Sequence, residues 1–396
     1  MIYLGVDVAS EKHDCCILNQ KKQILSAFTF ANNAEGFALF LKKATQFDSP
    51  QNMRVGLEAT GIYGTNLVAF LRRNGIQVTT LNPLLIKNSI KGTTLRKTKT
   101  DKTDAKHIAS FLMQEAPQPD LPVSYHTSEL KSLVRLRFKT VQDRSKAEIQ
   151  ARGVLEVLFP EFKLYFSDVF GAAASAVLCK YPSAKAISSA RIDTLSSLIR
   201  TASRGRCGHT KAEALKNAAK NSIGTHSLAM ELKLQMLFER IHLYTKQIGA
   251  LETEIKKIMV EIDSPITTIP GISWTLGSII LAEIGNISRF STPAKLLSFA
   301  GLEPSINDSG KAVGTRGTMV KRGSPYLRWA LLQAARTVPH FSATFSVYFE
   351  KKQAENKHYC VAASHCAKKL IRVIFSILTN NTKFIDNYSL VTLDFT

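Results

Sequence analysis

The chain has 396 residues, with 52 Lys plus Arg against 31 Asp plus Glu, a formal charge of +21. It has no apolar run of the roughly 20 residues that a membrane helix needs, and its start, MIYLGVDVAS, lacks the features of a secretory signal. So large a positive charge points to a polyanionic partner, nucleic acid first and an anionic membrane surface second.

The first 125 residues alternate strand and helix patterns. Tyr3 to Val8 reads as an apolar strand, with His13 to Leu18 as its hairpin partner across Ala9 to Lys12. Ala34 to Thr45 is helical, with Phe37, Phe40 and Leu41 on one face. Arg54 to Leu57 is a second buried strand that runs into Glu58. Ile62 to Arg73 is helical again, and Gly75 precedes a strand from Ile76 to Leu81. This predicts an α/β domain with a mixed sheet over 1–125. Pro117, Pro119 and Pro122 then punctuate a linker.

Residues 126–262 are predicted to be helical. A long helix spans 129–158, and within 131–152 seven Lys or Arg face only Asp143 and Glu148. That basic helix reads either as an RNA or DNA contact or as a solvated charged face. Leu234, Leu237, Ile241, Tyr244, Ile248, Leu251, Ile255, Ile258 and Ile262 recur by threes and fours, the pattern of a coiled-coil seam. Its partner is either the 129–158 helix or another subunit. Residues 170–225 read as short helices and turns.

A mainly α region follows over 263–396. The stretch from Thr268 to Gly285 suggests two short helices joined by a glycine turn, a helix–hairpin–helix-like start whose backbone N–H groups would meet phosphate. From Ser309 to Val338 there are six Lys or Arg and no acid. The six Cys are without CxxC spacing and read as reduced thiols of a cytoplasmic protein.

Two groups of residues bear on chemistry. Asp7 and Glu58 end apolar strands, where an unpaired carboxylate is costly, so a site at the sheet's edge is the natural explanation. Asp101 and Asp104 are three apart and share one face of a helical turn. Alone, Asp7 also fits a turn residue, and the helical pair fits N-terminal capping. Together the four carboxylates, flanked by Lys97, Lys99, Lys102 and Lys106, form a set suited to one or two Mg²⁺. This set resembles the RuvC-like branch of the ribonuclease H fold. In the third region, Ser309 precedes Gly310 and Lys311. By itself this reads as a Ser-Gly turn, and composition does not identify a nucleophile.

The motifs taken together resemble the insertion-sequence 110 family of transposases, the bridge-RNA-guided recombinases. The matching stretches are GVDVA (5–9), GLEATG (56–61) and DKTDAK (101–106), then IPGI (269–272), LAEIG (281–285), FSTPAKLLSFAGLEPS (290–305), SG (309–310) and KRGSPYLR (321–328). They follow in family order over nearly the whole chain. The resemblance implies a RuvC-like DEDD domain over 1–125, a helical coiled-coil and insert region over 126–262 and a serine transposase domain over 263–396. It makes Asp7, Glu58, Asp101 and Asp104 the Mg²⁺-binding tetrad and Ser309 the nucleophile. Asp308 and Lys311 stand where the family often has serine and glycine. Lys311, Arg316, Lys321, Arg322 and Arg328 fall in its basic, nucleic-acid-binding segment.

The implied activity is Mg²⁺-dependent cleavage and rejoining of donor and target DNA through a covalent phosphoserine. A structured guide RNA would select the sites, and the protein would work as a dimer or tetramer. A hydrolytic nuclease or junction resolvase using the carboxylates alone is the competing enzyme. A non-enzymatic nucleic-acid-binding scaffold is the third possibility.

Overall fold

The computed structural model describes residues 1–58, 62–93, 101–117, 119, 125–305 and 318–386. These form two compact units, Met1–Pro122 and Val123–Thr396.

In the first unit, β1 (Ile2–Val8), β2 (Lys12–Leu18) and β3 (Ile24–Ala31) run as an antiparallel meander. Helix α1 (Ala34–Ala44) follows, then β4 (Met53–Glu58), α2 (Thr65–Arg73), β5 (Gln77–Leu81), α3 (Pro83–Thr93) and α4 (Asp101–Glu115). The five-stranded sheet has the order β3-β2-β1-β4-β5, with β4 parallel to both β1 and β5. The mixed α/β domain expected from the sequence is therefore present. Strand β3 was not anticipated. Its signal is the alternation of Phe28 and Phe30, both buried, with Thr29 and Ala31, both exposed.

One face of the sheet buries Leu4, Val6, Val55, Leu57, Phe37 and Phe40 in an apolar cluster with Leu67 and Leu71 of α2. The other face receives α4, and two glycines set how closely. A Cβ on Gly5 would stand 2.0 Å from the Ala105 carbonyl oxygen and 2.4 Å from the Ala109 nitrogen. A Cβ on Gly56 would meet Leu81, Ile108 and Leu112 at 3.2–3.3 Å. Gly5 and Gly56 are register partners on β1 and β4, so together they make the bed on which the helix lies.

The second unit is helical. The 34-residue α5 (Tyr125–Leu158) packs along the 35-residue α10 (Leu228–Ile262). Leu130 and Val134 share a core with Ile255 and Met259, while Ala151 and Leu155 share one with Leu234 and Phe238, so the helices are antiparallel. The apolar seam of α10 thus meets the 129–158 helix of its own chain. At the far end of this pair, α6 (Ala172–Lys180), α7 (Ala184–Ser189), α8 (Ile192–Ala202) and α9 (His209–Lys220) close a small core around Val177, Ile187, Leu195 and Leu215.

At the near end lie α11 (Trp274–Ile284), α12 (Pro293–Ala300), α13 (Pro325–Thr337), α14 (Ala343–Ala354) and α15 (Tyr359–Asn380). Ile280, Leu327, Leu331, Leu370 and Ile374 form their common core. The helix–hairpin–helix-like start is realised as one four-residue 3₁₀ turn, Pro265–Thr268, followed by α11. Pro270 lacks an amide hydrogen, and Gly271 takes a left-handed φ of 85°, so no first α-helix forms. Among the described residues, no helix is long and apolar enough to cross a membrane.

Candidate active site

Side chains two apart on a strand share a face. Gly5 and Gly56 face α4, so Asp7 and Glu58, each two residues further along, face the same way at the carboxyl ends of neighbouring parallel strands. Asp104 immediately precedes Ala105, whose carbonyl lies against Gly5, and it stands one turn before Ile108 on the helix that covers this face. All three carboxylates are half-buried. Asp101 opens α4, and its side chain lies outside the described residues.

A further carboxylate escaped the sequence reading. Asp14 is the register partner of Asp7 across the β1–β2 hairpin. It is 6 % exposed and accepts a hydrogen bond from the Thr29 hydroxyl at 2.6 Å. Like charges directly opposed on a sheet repel, so this edge favours a cation. Among the described residues, no three His, Cys, Asp or Glu side chains are drawn together closely enough to hold a metal ion. The donor chemistry still suits Mg²⁺, because every candidate ligand is a hard carboxylate oxygen.

In the second unit the chain leaves the described residues at Ser305 and returns at Thr318. Ser309, Lys311 and Arg316 lie outside them. The two ends are joined as a short antiparallel stem. The Ser305 amide donates to the Thr318 carbonyl at 2.8 Å, and the Val320 amide donates to that of Glu303 at 3.0 Å. Below this pair, the Ser324 amide donates to the Phe299 carbonyl at 2.9 Å. Gly301 and Gly323 allow the approach. Both have positive φ, and a Cβ on either would stand 2.2 Å or less from a carbonyl oxygen of the opposite segment.

Lys321 and Arg322 are exposed at the foot of this stem. Arg328 is half-buried, and its guanidinium donates to the carbonyls of Lys321 and Ala300 at 3.0 and 3.4 Å. It therefore ties the stem together, a role the sequence did not reveal.

The stem is anchored to α11 and α5 through Glu283. Its carboxylate is 1 % exposed and accepts Arg135 Nε at 2.6 Å, Arg135 Nη2 at 3.0 Å and the Ser324 hydroxyl at 2.8 Å. Burial alone would raise the Glu283 pKa, but Arg135, Lys131 and Ser324 outweigh it and hold the carboxyl below its ordinary value. A lone acid in the apolar run of α11 was the available sequence signal, by the argument already applied to Asp7 and Glu58.

The basic face of α5 is partly neutralised from within the chain. Besides Arg135, Arg137 pairs with Glu252 at 2.6 Å, Arg144 with Glu148 at 3.5 Å and Lys146 with Asp143 at 3.2 Å.

Comparison with known proteins gives a consistent result. A family model described as a transposase, that of the IS110 DEDD type, matches residues 4–160. A second, described as "Transposase IS116/IS110/IS902 family", matches residues 263–350. An uncharacterized 42 kDa protein of insertion element IS900 from Mycobacterium paratuberculosis is 24 % identical, over 97 % of this chain and 97 % of that protein. The pilin gene-inverting protein of Moraxella lacunata is 23 % identical, over 96 % and 97 %. The uncharacterized 43.6 kDa protein of insertion element IS110 from Streptomyces coelicolor is 26 % identical, but over only 35 % of this chain and 34 % of that protein. Among solved structures, T. thermophilus RuvC in complex with a Holliday junction substrate covers 30 % of this chain and all of its own, at 12 % identity and a TM-score of 0.24. That score is too low to define a shared fold.

Proposed function

From the chain's membership of the IS116/IS110/IS902 transposase family, we propose that it is a serine-type DNA recombinase with a carboxylate metal site and a structured guide RNA. The observation that carries this reading is the register of Gly5 with Gly56 beneath α4. It sets Asp7 and Glu58 side by side on the face that also carries the start of the Asp101–Asp104 helix. The sheet order, three antiparallel strands followed by two parallel ones, agrees with a ribonuclease H fold.

Asp7, Glu58, Asp101 and Asp104 would hold Mg²⁺, which when bound supplies positive charge against the phosphate and lowers the pKa of an attacking hydroxyl. Ser309 is the nucleophile. Its Oγ–phosphorus bond forms as a DNA phosphorus–oxygen bond breaks, leaving a phosphoserine link and a free DNA hydroxyl. Attack by the hydroxyl of the exchanged strand reverses the step and releases the serine. Lys311, Arg316, Lys321 and Arg322 lie in the acid-free segment that follows the nucleophile and steady the phosphate charge. Arg328 contributes by holding the stem. A guide RNA would choose the sites by base pairing, so few base-reading side chains are needed. A dimer or tetramer would let one copy's carboxylates meet another's serine.

The test is to trap a denaturation-resistant protein–DNA adduct and map the modified residue. The adduct is expected on Ser309 and absent from Ser309→Ala and Asp7→Ala. Cutting that survives Ser309→Ala without an adduct establishes instead a hydrolytic nuclease that uses the carboxylates alone.

A further inference from the structure

Four side chains from two helices alternate in one line within the second unit. The Arg135 guanidinium lies over the Tyr326 ring, 4.8 Å from its centroid. Tyr326 meets Phe138 edge to face at 5.1 Å, and Phe138 meets Trp329 in the same manner at 5.0 Å. Arg135 and Phe138 are three apart on α5, as are Tyr326 and Trp329 on α13, so the two helices supply alternate rungs. One end of the line is anchored, because Glu283 holds Arg135. The other end is open, because Trp329 is 37 % exposed.

Beyond Trp329 the surface sinks into a cleft of about 420 Å³, walled by Arg137, which Glu252 already holds, and by Phe138, Val141, Gln142, Ser145 and Lys146. We propose that this cleft takes an unpaired base of the DNA strand engaged by the Ser309 segment, stacked on Trp329 as the next rung. Each wall suits part of a nucleotide. The indole offers a flat π surface to any base. Gln142 offers a donor and an acceptor, and Ser145 a hydroxyl, to a base edge. Lys146 offers a charge to phosphate, and its Asp143 contact is an exposed pair that costs little to exchange. The apolar floor of Phe138, Val141 and Trp329 edged by Arg137, Gln142, Ser145 and Lys146 matches a base with its phosphate better than an apolar face of a second copy.

The place of the cleft selects the strand. Trp329 lies five residues beyond Ser324, roughly 7.5 Å of helix rise. Exposed Lys321 and Arg322 stand just before Ser324, at the foot of the stem. The choice of strand rests on the proposed role of Ser309, but binding in the cleft needs neither the serine nor a metal.

The chain has two tryptophans, so Trp274→Phe leaves Trp329 as the only indole reporter. The full-length protein in EDTA is titrated with a single-stranded DNA 12-mer, its duplex and an RNA of the same sequence. Single-stranded DNA is expected to quench the fluorescence. In gel shifts, which need no indole, Trp329→Ala should weaken single-strand binding about 5- to 100-fold, Trp329→Phe much less, and neither should change duplex affinity. Lys146→Ala should lower the salt slope by about 0.7. Unchanged single-strand affinity in Trp329→Ala overturns the proposal. So does quenching by RNA but not DNA, or a fall in oligomeric mass on Trp329→Ala. Quenching that persists where no serine adduct forms leaves the cleft standing and removes only the nucleophile assignment.

Discussion

Glu283 receives Arg135 through both of its carboxylate oxygens, and the same carboxylate accepts the hydroxyl of Ser324, the residue that caps α13. The second unit thereby joins α5, α11 and the foot of the stem at one buried charge. Removing the acid leaves Arg135 and the Ser324 hydroxyl without their shared acceptor, and Lys131 without its counter-charge. Glu283→Ala is expected to destabilise this unit by about 2–4 kcal/mol in urea unfolding, somewhat less than a wholly buried pair because Arg135 is 42 % exposed.

The same pair sets an acid limit. The Glu283 pKa is lowered in the folded chain, so its contribution is full above its unfolded value of about 4.3 and is lost as pH falls through the lower folded value. Melting temperature followed from pH 6 downward should drop less steeply in Glu283→Gln than in the wild type. Parallel curves would show that the pair does not govern acid stability.

Gly5 and Gly56 give a graded test of the seating of α4. Gly5→Ala sets a Cβ against backbone atoms that cannot rotate away, so it should cost more than the ~1–3 kcal/mol of ordinary overpacking. Gly56→Ala meets side-chain methyls at 3.2–3.3 Å and should stay within that range. Circular dichroism melts of the two variants should therefore separate clearly. Equal losses would mean that α4 is not held by its contact with Gly5.

The carboxylate edge should respond to cations before any DNA is added. Saturating Mg²⁺ is expected to raise the melting temperature of the wild type, with a stabilisation near 2.7 kcal/mol at one hundred times the dissociation constant. Asp7→Asn and Asp104→Asn should abolish that response, and EDTA should abolish strand cleavage. An undiminished thermal shift in both variants would place the metal elsewhere.

The stem can be opened without touching the serine. Gly323 has a φ of 108°, and a Cβ there would lie 2.1 Å from the Phe299 carbonyl oxygen. Gly323→Ala should cut adduct formation at least tenfold while DNA binding in a gel-shift assay falls much less. Adduct formation at the wild-type rate would show that the stem does not position Ser309.

Much of this protein is legible along the chain. The excess of basic residues, the strand-ending acids Asp7 and Glu58, the paired Asp101 and Asp104 and the apolar seam of α10 are local patterns, because strand and helix periods write burial directly into residue spacing. Partners distant in sequence leave no such trace. Nothing near Glu283 points to Arg135, 148 positions away, and nothing in the seam says that it meets α5 of the same chain. The opposition of Asp14 to Asp7, the work of Arg328 in tying a stem and the alternation of Tyr326 and Trp329 with Phe138 were likewise settled by packing. Periodicity decides which face of an element is buried. Which face it is buried against depends on close approach, such as Gly5 permits for α4, and that exists only once the chain is folded.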